Sequence, residues 1–175
     1  AREMVRTRAI ITRTIRKNAL AGDSEIYLIA IDREPRVLAY FPAEELLKSG
    51  DAAVLKSISA ANPEDGTDIV GALRLAEMKL HKKTQVQVEK RILLVFSDMH
   101  VDPATTPRKR SFDPLTSFAW ERLRDVDNRF YFVAQKMEPV VTDLLEQRHV
   151  PASVLGVEES QKLKEEEIDR ILGQE

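Results

Sequence analysis

Cysteine is absent from the chain, which removes disulfide scaffolds and thiolate metal centres from consideration. A reducing compartment is compatible with this, and a soluble, cytoplasmic protein is the expectation. Histidine is scarce as well: His81, His100 and His149 are the only three, too few for a His-rich metal site. No apolar run comes near the roughly 20 residues that a membrane-spanning helix needs, so no membrane span is expected. The opening Ala1-Arg2-Glu3-Met4 is neither an initiator methionine nor a secretory signal. Gly-x-Ser-x-Gly, P-loop and His-Glu-x-x-His motifs are all missing, and with them the commonest hydrolase, nucleotide and zinc-protease signatures. An excess of one charge is missing too. Lysine and arginine number 27 against 29 acidic residues, so bulk charge points to neither nucleic acid nor an anionic membrane. Two local basic runs do occur. One is Arg2, Arg6, Arg8, Arg13, Arg16 and Lys17; the other is Arg108-Lys109-Arg110. No aromatic residue interleaves either, so they read as a solvated helix face and a basic loop, and no nucleic-acid partner is expected.

What is present suits one globular domain over residues 1–175. Hydrophobic residues make up 43% of the 175, enough to bury a core. Met4, Ile11 and Ile15 share a helical face opposite Arg2, Arg6 and Arg13, which predicts an amphipathic opening helix with its charged side in water. Residues 26–31 form a short apolar, β-branched run that reads as a strand buried on both faces. A polar turn with Pro35 follows, then a second strand over 37–41, the antiparallel partner in a hairpin. Helices are expected over 43–48 and 51–59, separated by Gly50. Ile69, Ala72, Leu73, Ala76 and Leu80 then mark one face of a strong helix, with Lys79, Lys82 and Lys83 at its C-terminal end. Residues 92–96 make the best strand in the sequence, and Ser97-Asp98 ends it where open parallel sheets place ligands. A long polar loop over 99–111 is expected at that edge and among the most mobile parts. Beyond it come a helix over 115–125 carrying Trp120, a strand over 129–133, a helix over 140–148, a short strand over 152–155 and a charged helical tail over 158–172. Trp120 reads as core. The alternation argues for a doubly wound, Rossmann-like, mostly parallel α/β sheet with helices on both faces and one antiparallel hairpin.

Gly66-Thr67-Asp68-Ile69 followed by Ala72-Leu73 resembles the loop-to-helix segment of von Willebrand factor A-type domains. The hydrophobic strand ending in Ser97-Asp98 resembles the strand that follows it there, and the element order matches over nearly the whole chain. The resemblance implies an interaction module in which Thr67 and Asp98 help form a metal-ion-dependent adhesion site. A hard cation such as Mg²⁺ or Mn²⁺ takes oxygen ligands and keeps several waters, so an acidic side chain of a partner protein could complete the shell. The same two residues have plainer readings: Thr67 as a helix cap, and Asp98 as an acceptor of backbone N–H bonds at a strand end.

The family's third element, Asp-x-Ser-x-Ser at the end of the central strand, is not in the sequence. Either the chain begins just after that strand, or residues 26–31 are that strand and Asp32-Arg33-Glu34-Pro35-Arg36 replaces the motif. The first is favoured because the opening helix and hairpin fall in the family's order. It implies that an upstream segment or a second chain completes the sheet, since unpaired buried backbone groups are costly. It also predicts that residues 26–31 do not pair directly with residues 92–96.

Two rival functions come from other classes. Asp98-x-His100 resembles the first motif of calcineurin-like metallophosphoesterases, but the later Gly-Asp and Gly-Asn-His motifs of that family are missing. The other is a metal-free A-type scaffold. The expectation is a binding protein, not an enzyme. His81, at the Lys-rich end of its helix, reads as solvated.

Overall fold

The computed structural model describes residues 8–16, 24–59, 67–83, 87–88, 90–97, 113–132, 139–155, 166 and 169–170. The chain divides into two compact units. One holds Ala1–Ala30, Arg36–Asn62 and Ser160–Glu175, and the other Ile31–Pro35 and Pro63–Glu159.

In the first unit, helix α1 covers residues 8–16, and strands β1 (Glu25–Ala30) and β2 (Arg36–Pro42) form the expected antiparallel hairpin. The register runs from Glu25↔Pro42 to Leu28↔Ala39, then shifts so that Ile29 faces Val37. Leu38 is therefore the extra residue of a β-bulge, which bends and twists β2 locally. Ile26 and Phe41, opposite each other, turn to a core of Ile15, Phe41 and Val54. Most of β1 is half-buried, and only Ala30 is buried. The expectation of a strand buried on both faces is thus corrected: the alternate face carries Glu25 and Tyr27.

Helix α2 runs unbroken from Ala43–Ser59 and passes through Gly50, which had been expected to separate two helices. Glycine costs about 1 kcal/mol relative to alanine inside a helix. Anchoring of Val54 in the core, with Ala53 and Ile58 packed against it, outweighs that local preference. In α1, Ile10, Thr14 and Ile15 are buried. Arg13 is not simply solvated. Its guanidinium lies 2.8 Å from the Asp169 carboxylate, tying α1 to the helical residues near the C-terminus.

In the second unit, β3 (Ile92–Ser97), β4 (Asp127–Phe132) and β5 (Ala152–Leu155) form a parallel sheet in that order. Helix α3 (Ile69–Leu80) precedes β3, and α5 (Pro139–Gln147) lies between β4 and β5 in sequence. The parallel β4–β5 pair needs a crossover such as α5, because a tight turn leaves the chain running the opposite way. Among the described residues β1 pairs with β2 and β3 with β4, and no ladder joins β1 to β3.

The helix expected over 115–125 is instead a short α4 (Asp113–Thr116), a bend, and a 3₁₀ turn (Trp120–Leu123). Trp120 sets this path. It is fully buried, packs edge-on to Phe118 at 4.9 Å between ring centroids, and also meets Phe130 of β4. Its indole N–H donates to the Leu115 carbonyl at 2.7 Å, a bond that closes the bend. Asn128 of β4 is the fully buried polar residue of this core. Its amide nitrogen sits 2.8 Å from the Leu123 and Val126 carbonyls and 3.0 Å from that of Pro151. One side chain thereby joins the 3₁₀ turn, the start of β4 and the approach to β5.

After α5 the chain makes a left-handed turn at His149, φ 53°. The His149 N–H donates to the Glu146 carbonyl and the Val150 N–H to that of Leu145, each at 3.0 Å, with Leu145 and Val150 both buried. This is a Schellman ending with histidine where glycine is usual. Among the described residues no helix is long and apolar enough to cross a membrane.

Candidate functional site

The start of α3 is built around Asp68. Its N–H donates to the Asp32 carbonyl at 3.0 Å, and its Oδ1 accepts the Gly71 N–H at 2.8 Å. Asp68, not Thr67, is therefore the N-cap, and the plainer reading of Thr67 as the cap is corrected. Aspartate caps well because its carboxylate both accepts an orphan N–H and faces the positive end of the helix dipole. Gly71 is needed here. A Cβ at that position would collide with the Asp68 carboxylate and lie 3.1 Å from Pro35 Cγ. The cap thus packs the Asp32–Pro35 turn directly against the first turn of α3.

Thr67 is half-buried and stands one residue before this cap. Asp32 is buried, and its carbonyl accepts the N–H of Asp68, the residue after Thr67. Ser97, the last residue of β3, is buried. Asp98, His100 and the expected loop over 99–111 lie outside the described residues, so the approach of Thr67 to Asp98 is left as an expectation. Among the described residues no group of three or more His, Cys, Asp or Glu side chains could hold a metal ion.

The opposite end of α3 is pinned by polar contacts. His81 corrects the expectation of a solvated ring: Nδ1 lies 3.1 Å from the Glu77 carbonyl, and Nε2 lies 3.1 Å from Asp125 Oδ1. Arg91 Nε donates to the Leu80 carbonyl at 2.8 Å, and its guanidinium also reaches Asp125 at 3.6 Å. Arg122 meets Glu77 at 3.4 Å. Burial pushes the Asp125 carboxyl up, but the hydrogen bond and charge of His81, a backbone bond and Arg91 together hold it below the usual aspartate value.

Sequence reading missed Asp68 as a structural residue, although aspartate just before an apolar helical stripe is a recognised signal. It also missed Tyr27 and Tyr40, which pair across the hairpin. Their signal was the alternation of the two strands about a common turn.

A bulge-bearing antiparallel pair, a parallel three-stranded sheet and intervening helices define a mixed α/β fold. That fold is of the von Willebrand factor A type. The chain matches a structure described as von Willebrand factor type A from Catenulispora acidiphila with a TM-score of 0.63 and 13% identity, over 97% of its own length. It spans only 38% of that longer chain. It also matches an aerotolerance-related membrane protein from Bacteroides fragilis, bearing multiple mutations to serines, with a TM-score of 0.56 and 10% identity. That match covers 96% of this chain and 89% of the other. No protein-family model and no curated protein sequence matches the chain. At these identities the likeness carries the fold.

Proposed function

We propose that the chain is a protein-interaction module that engages its partner at the C-terminal edge of the parallel sheet, around Thr67 and Asp98. The observation that carries this reading is the A-type fold together with the rigidly capped start of α3, which places Thr67 at a helix entrance. Thr67 offers a hydroxyl and Asp98 a carboxylate, both hard oxygen donors suited to Mg²⁺ or Mn²⁺. An acidic side chain of the partner would be a further ligand. The donor set is thin. Asp68 Oδ1 is taken up by the Gly71 N–H, so water would fill most of the shell and affinity in this chain alone would be weak.

Calorimetric titration of Mg²⁺ and Mn²⁺ into the chain, its Asp98→Ala variant and its Thr67→Ala variant tests this. Weak binding by the parent that both variants lose supports the cation-assisted reading. Absence of binding to the parent, or undiminished binding to the variants, replaces it with a metal-free interaction scaffold.

A further inference from the structure

The β1–β2 hairpin carries a second surface, distinct from the edge of the parallel sheet. Strand alternation sends Ile26 and Phe41 to the core and leaves Glu25, Tyr27, Tyr40 and Pro42 on the other face. Tyr27 and Tyr40 sit directly opposite each other, their rings 4.8 Å apart between centroids and tilted by 31°. Tyr40 is 41% exposed. The Tyr27 hydroxyl donates to Glu25 Oε2 at 3.3 Å, and Glu25 is the diagonal cross-strand neighbour of Tyr40. Glu25 and Glu45 are exposed, and both lie within electrostatic reach of Tyr40. Burial, then Glu25, then Tyr27 and Glu45, hold the Tyr40 phenol neutral to higher pH than usual.

A cross-strand aromatic pair helps hold a hairpin together, and that alone would explain two apolar rings. It does not explain a ring left open to water with carboxylates at its rim. Aromatic faces carry negative quadrupole potential, and the carboxylates add full charge beside them. The complementary group is planar and cationic. A guanidinium stacks on a tyrosine face and forms hydrogen bonds to a carboxylate at the same time, whereas an ammonium is a compact, strongly hydrated point charge.

We propose that the Tyr27–Tyr40–Glu25 face of the hairpin binds an arginine-bearing segment of a partner protein, the guanidinium lying on Tyr40 with its N–H groups directed to Glu25. This surface requires no metal and lies in a different unit from Thr67, so it stands or falls separately from the cation-assisted reading.

The test uses the full chain, titrated with a short arginine-rich peptide and with lysine-rich and glutamate-rich peptides of equal length. Binding is followed by calorimetry and by NMR shifts of the tyrosine rings. The arginine peptide should bind tightest and move the Tyr27 and Tyr40 signals. Tyr40→Ala should weaken it roughly two- to fivefold, the range for an exposed cation–π contact. Glu25→Gln should weaken it and flatten its salt dependence. Tyr40→Phe, which keeps the ring, should bind like the parent, and chelator should change nothing. Urea midpoints confirm that each variant is folded, and Glu25→Gln keeps the test decisive if Tyr40→Ala loosens the hairpin. Equal affinity of the parent and both Tyr40→Ala and Glu25→Gln overturns the proposal, as does arginine peptide binding no tighter than the lysine or the glutamate peptide.

Discussion

Replacing Asn128 should be among the most damaging single changes in the parallel-sheet unit. The side chain is fully buried, and its amide nitrogen faces the carbonyls of Leu123, Val126 and Pro151. The Leu123 carbonyl also accepts the Val126 N–H at 3.2 Å, so it keeps a partner when the amide is removed. The bond to the buried Val126 is the one whose loss matters most, since Pro151 is exposed and its bond only part-buried. Leaving a buried carbonyl unsatisfied costs about 1–3 kcal/mol, so Asn128→Ala should destabilise by roughly 1–4 kcal/mol. With urea m-values of about 1–3 kcal/mol/M, the midpoint should fall on the order of 1–2 M. Trp120 is the only tryptophan and is buried against Phe130, so its fluorescence reports this core directly. Asn128→Asp makes a sharper test. A carboxylate would face acceptors and lose at neutral pH, whereas its protonated form can donate one bond. Its folded pKa is therefore raised above the unfolded value, and the damage should shrink as pH falls toward about 4. A cost below about 1 kcal/mol for Asn128→Ala, or an Asp variant insensitive to pH, would refute the argument.

Two further changes follow from helix ends. His149→Gly should stabilise by about 0.5–1 kcal/mol, because the left-handed conformation costs histidine roughly 1–2 kcal/mol and glycine gives part of that back as unfolded-state entropy; thermal melts that show a loss would contradict it. The Asp125 carboxyl is held below its ordinary value, so its contribution is present above about pH 4 and is lost as pH falls through the lower folded value. Asp125→Asn should flatten that acid limb in stability-versus-pH curves, modestly, since the group is more than half exposed.

Much of the fold was legible because the decisive signals were long and local. The apolar run ending in Ser97 marked β3, and the short strand expected over 152–155 coincides with β5. The hairpin was readable from two apolar runs about a proline turn. What escaped depends on contacts distant in sequence. Gly50 reads as a break until Val54 is known to anchor the second half of α2. The stretch around Trp120 has a helical pattern, yet the indole N–H finds the Leu115 carbonyl and the segment tightens into separate turns. Asn128 looks like an ordinary strand residue until three carbonyls converge on it. For the candidate site, the sequence pointed to Thr67 through a family resemblance, but the physical anchor is its neighbour Asp68. Side-chain geometry decides between two adjacent oxygen donors, and composition does not.

That anchor also separates two ways in which the site could take a cation. Asp68 Oδ1 holds the Gly71 N–H at 2.8 Å, and the carboxylate packs so closely on Gly71 that no Cβ fits between them. Drawing Oδ1 onto a metal would uncap α3, at a cost of about 0.5–2 kcal/mol, and Oδ2 is packed tightly on Gly71. A cation should therefore use Thr67 and Asp98 and leave Asp68 in place. Asn is as good an N-cap as Asp, so Asp68→Asn should keep α3 intact and cost little stability. Its Mg²⁺ affinity should fall by no more than about tenfold, the loss expected of one unit charge a few ångströms outside a divalent ion's shell. Asp68→Ala should lose the cap and melt earlier by an amount set by that cost. If Asp68→Asn abolishes Mg²⁺ binding while its melting temperature is unchanged, the carboxylate is itself a ligand. The cation then sits at the entrance of α3 and competes with the cap, and the Thr67–Asp98 pairing is wrong.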